Sequence, residues 1–239
     1  MPRFFIDEMP ENRVIITGED AQHIGRSLRM RRGEKITACC QGTDIECEIV
    51  EITSDSVECE VIGKFPSPAE PGIKVTLFMA LPKSDKMELI VQKSVELGVS
   101  RIVPVLTARC ISRPDRKSLE GKISRWQKIA LSAAKQSGRG LIPEVCQAIG
   151  FEECLDCASK LDRAFFFYEK GGESLSKIWK DGAGTVGLIV GPEGGFEPEE
   201  AASSEAHGIL TASLGKRILR CETAPLAALS AIMLLSGDI

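Results

Sequence analysis

The sequence predicts an α/β protein in which a small antiparallel β-barrel precedes a larger domain with a mostly parallel sheet. Three observations lead there. Short runs of β-formers separated by turn signals fill the first 65 residues, the proline-rich PSPAEPG interrupts the chain at 66–72, and beyond it apolar strands alternate with amphipathic helices. At 239 residues and 43% apolar content the chain can bury a sizeable core.

In chain order, PRFFI, RVIIT, KITACC, DIECEIVEI and SVECEVI read as strands, with QGTD and TSDS as turns. One helical patch, EDAQHIGRSLRM, interrupts them; Ile24, Leu28 and Ala21 form its apolar face while Arg26 and Arg29 point away. His23 there suits a local backbone or phosphate contact better than catalysis. The three prolines and the glycine of residues 66–72 disfavour both helix and sheet interior, so the stretch divides a domain 1–70 from a domain 73–239. VTLFMAL is followed by SDKMELIVQKSVELG, and RIVPVL by KSLEGKISRWQKIALSAAKQSG. AFFFY, GLIV and ILTASL follow as further strands, each trailed by a helical segment. In the long helix Ile123, Trp126, Ile129 or Ala130, and Ala133 or Ala134 recur at spacings of three and four, which is a core stripe. Lys122, Arg125, Lys128 and Lys135 are left on the exposed sides, open to phosphate or to solvent alone.

The net charge of −4 argues against a uniformly basic nucleic-acid binder, yet its distribution is uneven. Residues 26–35 hold five cations against Glu34, and residues 101–139 hold ten against Asp115 and Glu120, a pattern that suits a polyanion held at chosen faces. Nine scattered cysteines suggest reduced thiols, with Cys154 and Cys157 as ordinary half-buried residues of a helix rather than a metal or redox pair. Pro225–Leu235, the longest nearly apolar stretch, is far short of the roughly 20 residues that cross a bilayer. MPRFFIDEMP lacks an apolar signal core, so the expectation is a cytoplasmic protein without membrane contact.

The stretch GPEGGF at 191–196 follows the strand GLIV and precedes the helix-like EPEEAASSEA. Ligands of open parallel sheets sit beyond strand C-termini, but the stretch matches neither common phosphate-cradle pattern. Glu193 would repel a phosphate, which favours a cationic or hydroxyl-rich ligand. A tight strand-to-helix turn, with Pro198 in the first helical turn, explains the same residues. Near the chain end, ILTASLG leads through Lys216, Arg217 and Arg220 of KRILRCET into the apolar helix APLAALSAIMLLSG, so a second glycine-containing strand exit joins the first.

GPEGGF together with LGKRILRCETAPLAAL resembles the paired signature of the RsmE family, SPOUT-type methyltransferases of small-subunit (16S) ribosomal RNA. The likeness extends to HIGRSLRMRRG, to QKSVELGV at 92–99 and to RWQKIALSAAKQSGR at 125–139. It implies a PUA-like RNA-binding β-barrel followed by a SPOUT domain whose chain end forms a deep trefoil knot. It also implies S-adenosylmethionine as methyl donor without a metal, N3 of one uridine as target, the assembled small subunit as substrate, and a homodimer. The cofactor residues it points to are Tyr168, Val190, Gly191, Glu193, Gly194 and Gly195, and, from the second loop, Leu214, Gly215, Leu219, Thr223 and Ala224. Transfer to N3 calls for a cation beside the negative charge that develops on the uracil, and Arg220 is the candidate, with a salt bridge to Glu222 or a phosphate contact as the alternative. Glu222 is the candidate proton acceptor, or else a ligand contact or helix cap. Arg26, Arg29, Arg31 and Arg32, with Lys83, Lys86, Lys93, Arg109 and Arg139, are the expected RNA contacts. Cys221 within RILRCET departs from the family pattern and leaves a thiol close to the site.

Overall fold

Alternating apolar and polar side chains shape the first sheet. In the computed structural model, which describes residues 1–239, its strands are β1 (Arg3–Phe5), β2 (Arg13–Thr17), β3 (Lys35–Cys40), β4 (Thr43–Ile52) and β5 (Ser56–Pro66), in the order β1-β3-β4-β5-β2. β4 and β5 form a long hairpin with irregularities at Glu46/Cys47 and Ile49/Glu51, the kind of extra-residue bulge that coils a sheet. Phe4, Val14, Ile16, Ile36, Ile45, Ile49 and Val57 fill the concave side. The expected barrel is present as a curled half-barrel, and one pair departs from the antiparallel expectation: β1 pairs with β3 in parallel. The chain between those strands includes β2 and a helix, long enough for a parallel crossover.

That helix begins as α1 (Gly18–Gln22) and continues as a wider π-type turn over His23–Ser27. Ala21 and Ile24 are buried, but Leu28 is 41% exposed, contrary to the expected apolar face. A π turn closes i to i+5, so the four-residue step from Ile24 to Leu28 no longer returns to the same side.

The chain separates into two compact units, Met1–Glu70 with Ala134–Leu141, and Pro71–Ala133 with Ile142–Ile239. The first division falls inside the proline-rich stretch; the inclusion of Ala134–Leu141 in the first unit has no counterpart in the sequence pattern. Glu70 ties that segment there with a carboxylate that accepts hydrogen bonds from Arg139 Nε (2.9 Å) and Nη2 (2.7 Å) and from the N–H groups of Gly140 (2.8 Å) and Leu141 (3.0 Å), and Lys135 pairs with Asp20 at 2.8 Å.

The second unit contains β6 (Lys74–Ala80), α2 (Lys86–Glu96), β7 (Arg101–Leu106), most of α3 (Arg116–Ser137), β8 (Glu144–Val145), β9 (Ile149–Gly150) and α4 (Phe151–Ala158). It continues with β10 (Arg163–Phe167), β11 (Glu173–Ser174), α5 (Leu175–Ile178), β12 (Thr185–Val190), α6 (Pro198–Ala206), β13 (Leu210–Ser213) and α7 (Thr223–Ser236). The sheet order is β11-β13-β10-β12-β6-β7-β8, with β9 also on β7, and every pairing is parallel. Along α3 the stripe Ile123, Trp126, Ala130, Ala133 and Ala134 is buried as the spacing predicts. Register then decides where a ligand can sit. Phe167 lies opposite both Val190 and Ala212, and Val190 opposite Met79, so β6, β10, β12 and β13 release their chains at one level. No helix is long and apolar enough to cross a membrane.

Candidate functional site

The loops leaving β10, β12 and β13 surround a cavity of about 540 Å³, within the range of small-molecule sites. Tyr168, Val190, Gly191, Glu193, Gly194 and Gly195 line it from one side, and Leu214, Gly215, Leu219, Arg220 and Ala224 from the other. Thr223 and Glu222 do not line it; both sit at the start of α7, where the N–H of Thr223 donates to the carbonyl of Arg220 at 2.9 Å.

The 191–196 loop needs its glycines. Gly195 has φ +66°, and a Cβ there would lie 2.5 Å from Glu169 Oε1. At Gly191 a Cβ would come within 3.0 Å of the Phe196 ring. Downstream, Glu197 caps α6 in a reciprocal box with Glu200, and Pro198 opens the helix. Glu200 also accepts the N–H of Ala108 at 2.9 Å. Arg109 donates to the Gly194 carbonyl at 2.8 Å and to Glu197 at 2.9 Å.

Glu193, on the cavity wall, is already paired with a cation. Its carboxylate meets Lys86 Nζ at 2.9 Å and accepts the N–H of Lys83 at 3.1 Å. Burial works to raise its pKa, but the Lys86 hydrogen bond, its own N–H and that of Lys83 together hold it down at about 2. Lys86 Nζ also lies 3.2 Å from Glu222 Oε2 and 3.5 Å from Cys221 Sγ. Burial pushes the Cys221 thiol up to about 12, so it stays protonated and donates to Glu222 at 3.2 Å. That hydrogen bond, its own N–H and the Lys86 contact lower the pKa of Glu222, which makes it a weak proton acceptor near neutral pH.

Arg220 is exposed at the cavity wall and its guanidinium makes no ion pair; the alternative of a salt bridge to Glu222 is not the arrangement adopted, because Lys86 takes that carboxylate.

Several expected RNA contacts are engaged elsewhere. Lys86 belongs to the cavity cluster, Arg109 to the glycine loop, and Lys93 pairs with Glu96 at 2.8 Å. Arg139 is 2% exposed beside Glu70 and cannot reach a phosphate without leaving the core. Arg26, Arg29, Arg31, Arg32 and Lys83 are exposed, with no ion pair on their side chains. The sequence reading missed the wall supplied by Glu169, Gly171 and Gly172. The signal was the glycine pair in YEKGGE: at Gly172, φ +112°, a Cβ would lie 2.9 Å from the Ala212 backbone. Nowhere do three or more His, Cys, Asp or Glu side chains gather as metal ligands.

Residues 69–233 match the RNA methyltransferase domain family, and residues 16–62 match the RNA methyltransferase PUA domain. The chain is 37% identical to the ribosomal RNA small subunit methyltransferase E of Bacillus subtilis, over 100% of both chains. It is 34% identical to the protein of the same name from Mesomycoplasma hyopneumoniae, over 94% of this chain and 95% of that one. Among solved structures it resembles a ribosomal RNA small subunit methyltransferase E from Neisseria gonorrhoeae bound to S-adenosyl methionine, with TM-score 0.89 and 33% identity over 100% and 99% of the two chains. A Legionella pneumophila putative methyltransferase with bound SAM superposes at TM-score 0.83 and 31% identity, over 98% and 97%.

Proposed function

The chain belongs to the RNA methyltransferase family that includes the small subunit methyltransferases E, and on that premise we propose that it methylates N3 of one uridine in 16S ribosomal RNA. S-adenosylmethionine is the methyl donor, and the substrate is the assembled small subunit. One observation carries the reading: two glycine-containing strand exits form one cavity, with an unpaired guanidinium, Arg220, on its wall.

The residues present fit such a donor. Val190, Leu214, Leu219 and Ala224 offer apolar wall, and the glycines of both loops bring peptide groups close. When bound, S-adenosylmethionine supplies an electrophilic methyl group on a positively charged sulfur. The loops hold the donor and exclude water from the reacting atoms, and orientation of this kind contributes up to about 7–11 kcal/mol. Uridine N3 is a poor nucleophile until its imide proton is lost to solvent water. Arg220 stabilises the negative charge that then spreads onto the uracil oxygens, and it cannot be deprotonated in doing so.

The exposed arginines 26, 29, 31 and 32 of the PUA-like unit dock the RNA by phosphate contacts. The same reading makes the protein a cytoplasmic homodimer, with exposed Leu234 on α7 as a support for the interface. It also threads the chain end into a deep trefoil knot; support comes from α7, which follows the 214–222 loop and packs back on α2, β6 and β12.

Calorimetric titration with S-adenosylmethionine, followed by nucleoside analysis of small subunits from cells lacking the protein, tests the reading. Saturable binding and loss of one N3-methyluridine are expected. RNA binding without methyl transfer would leave an assembly factor instead. Arg220→Ala should slow single-turnover transfer by about 10²–10³ while donor affinity stays within about twofold.

A further inference from the structure

The Lys86 ammonium is the single group that reaches both walls of the cavity. It stands in the first turn of α2, at 2.9 Å from Glu193 in the 191–196 loop and 3.2 Å from Glu222 at the end of the 214–222 loop. No hydrogen bond joins the two loops directly. Lysine suits this place because an ammonium carries three donors that can be aimed at separate acceptors, and here it has Glu193, Glu222 and the Cys221 sulfur. The Glu193 carboxylate is bound a second time by the Lys83 N–H, so the first loop is moored to the β6–α2 turn at two points. The second loop has only Lys86 for that purpose. Without the ammonium two carboxylates would face each other across the vacated space and drive the loop ends apart.

The side chains of Lys86, Glu193 and Glu222 are 31%, 25% and 22% exposed, so water screens the cluster less than it would a fully exposed pair. An ordinary exposed ion pair would contribute almost nothing to function. What raises this one above that level is its position between two segments that must lie at a set distance for one ligand to touch both.

We propose that Lys86 is a positioning residue: by holding Glu193 and Glu222 it sets the separation of the two cavity loops, and thereby the affinity for the methyl donor. This rests on the donor-binding reading above. The alternative role, a direct charge effect on the donor, separates the donor from its demethylated product. S-adenosylhomocysteine has a neutral sulfur, so loss of a nearby positive charge would favour S-adenosylmethionine selectively, whereas loss of loop alignment weakens both ligands alike.

The test is calorimetry of the full-length wild type, Lys86→Met and Lys86→Arg with each ligand, alongside steady-state kinetics. In Lys86→Met both affinities should fall together by roughly tenfold, the scale of coupling between directly interacting residues. KM for the donor should rise while kcat at saturation changes by less than about threefold, and Lys86→Arg should recover most of the loss. Failure of the wild type to bind either ligand would overturn the donor-binding reading itself. Wild-type binding with undiminished affinity in Lys86→Met, or a change confined to S-adenosylmethionine, would overturn only the role of Lys86. Should Lys86→Met not fold, Glu222→Gln keeps the lysine and removes one partner's charge. A smaller joint loss is expected there, and unchanged binding of both ligands would overturn the proposal.

Discussion

Arg26, Arg29, Arg31 and Arg32 stand exposed in the first unit with side chains that meet no carboxylate, whereas Lys86 and Arg109 in the second are each held between acidic groups and loop atoms of the cavity. Both regions are basic in the sequence, and both suit a polyanion on charge alone. Availability for phosphate therefore depends on partners rather than on local charge density. A guanidinium already bonded to a carboxylate must give up that contact before it can bind RNA. Arg139 is the limiting case, because its partner Glu70 holds it inside the first unit.

The largest effect is expected from that buried pair. Glu70→Ala removes the carboxylate shared by Arg139, Gly140 N–H and Leu141 N–H, and should cost about 3–5 kcal/mol of stability, as loss of one partner of a buried ion pair does. Denaturant midpoints would check this. Arg31→Ala, by contrast, should shift the midpoint by no more than about 0.5 kcal/mol, since it removes no contact within the fold. If the two variants were equally stable, the distinction between held and free cations would fail.

A second variant separates loop shape from charge. Gly195→Ala keeps every cation in place, yet it puts a Cβ into a backbone with φ +66° and within 2.5 Å of Glu169. The strain is on the order of 1–3 kcal/mol, enough to weaken donor binding about fivefold to more than a hundredfold. Calorimetry with S-adenosylmethionine reads it, and RNA affinity should be unaltered.

These cases also mark where sequence reasoning reached and where it stopped. Alternation of two and spacings of three and four placed the longer strands and the Trp126 stripe, because those patterns are set by neighbours a few residues away. The glycine loops were legible for the same reason: GPEGGF needs its glycines for local backbone geometry. The partners of Lys86, Arg109 and Arg139 were not. Lys86 finds Glu193 and Glu222, Arg109 finds Glu197, and Arg139 finds Glu70, all across strand crossovers that no local period encodes. The parallel β1–β3 pair and the placement of Ala134–Leu141 in the first unit escaped for this reason too. Leu28 failed differently, since the period was read as 3.6 where a π turn intervenes.

RNA binding separates held from free cations at lower amplitude. Arg29→Ala and Arg31→Ala should each weaken binding and reduce the slope of log affinity against log salt by roughly 0.7–0.9 per lost phosphate contact. Arg109→Ala should leave that slope unchanged, because its guanidinium serves Gly194 and Glu197. Filter binding to 16S RNA at several salt concentrations checks both halves. An equal change of slope in all three would put Arg109 back among the RNA contacts.

The smallest effect expected is in the acid response of the cavity cluster. Glu193 has its pKa held at about 2, below the ordinary 4.5, so its contribution to stability is fully present above about 4.5 and is lost as pH falls toward about 2. In Glu193→Gln that contribution is missing at every pH. The gap in melting temperature between wild type and variant should therefore be constant from neutrality down to about 5 and close on further acidification. Arg31→Ala, whose side chain has no carboxylate partner, should run parallel to the wild type over the same range. A gap in Glu193→Gln that stayed open below pH 3 would mean that the amide disturbs packing rather than charge, and that Lys86 holds the loop by shape alone.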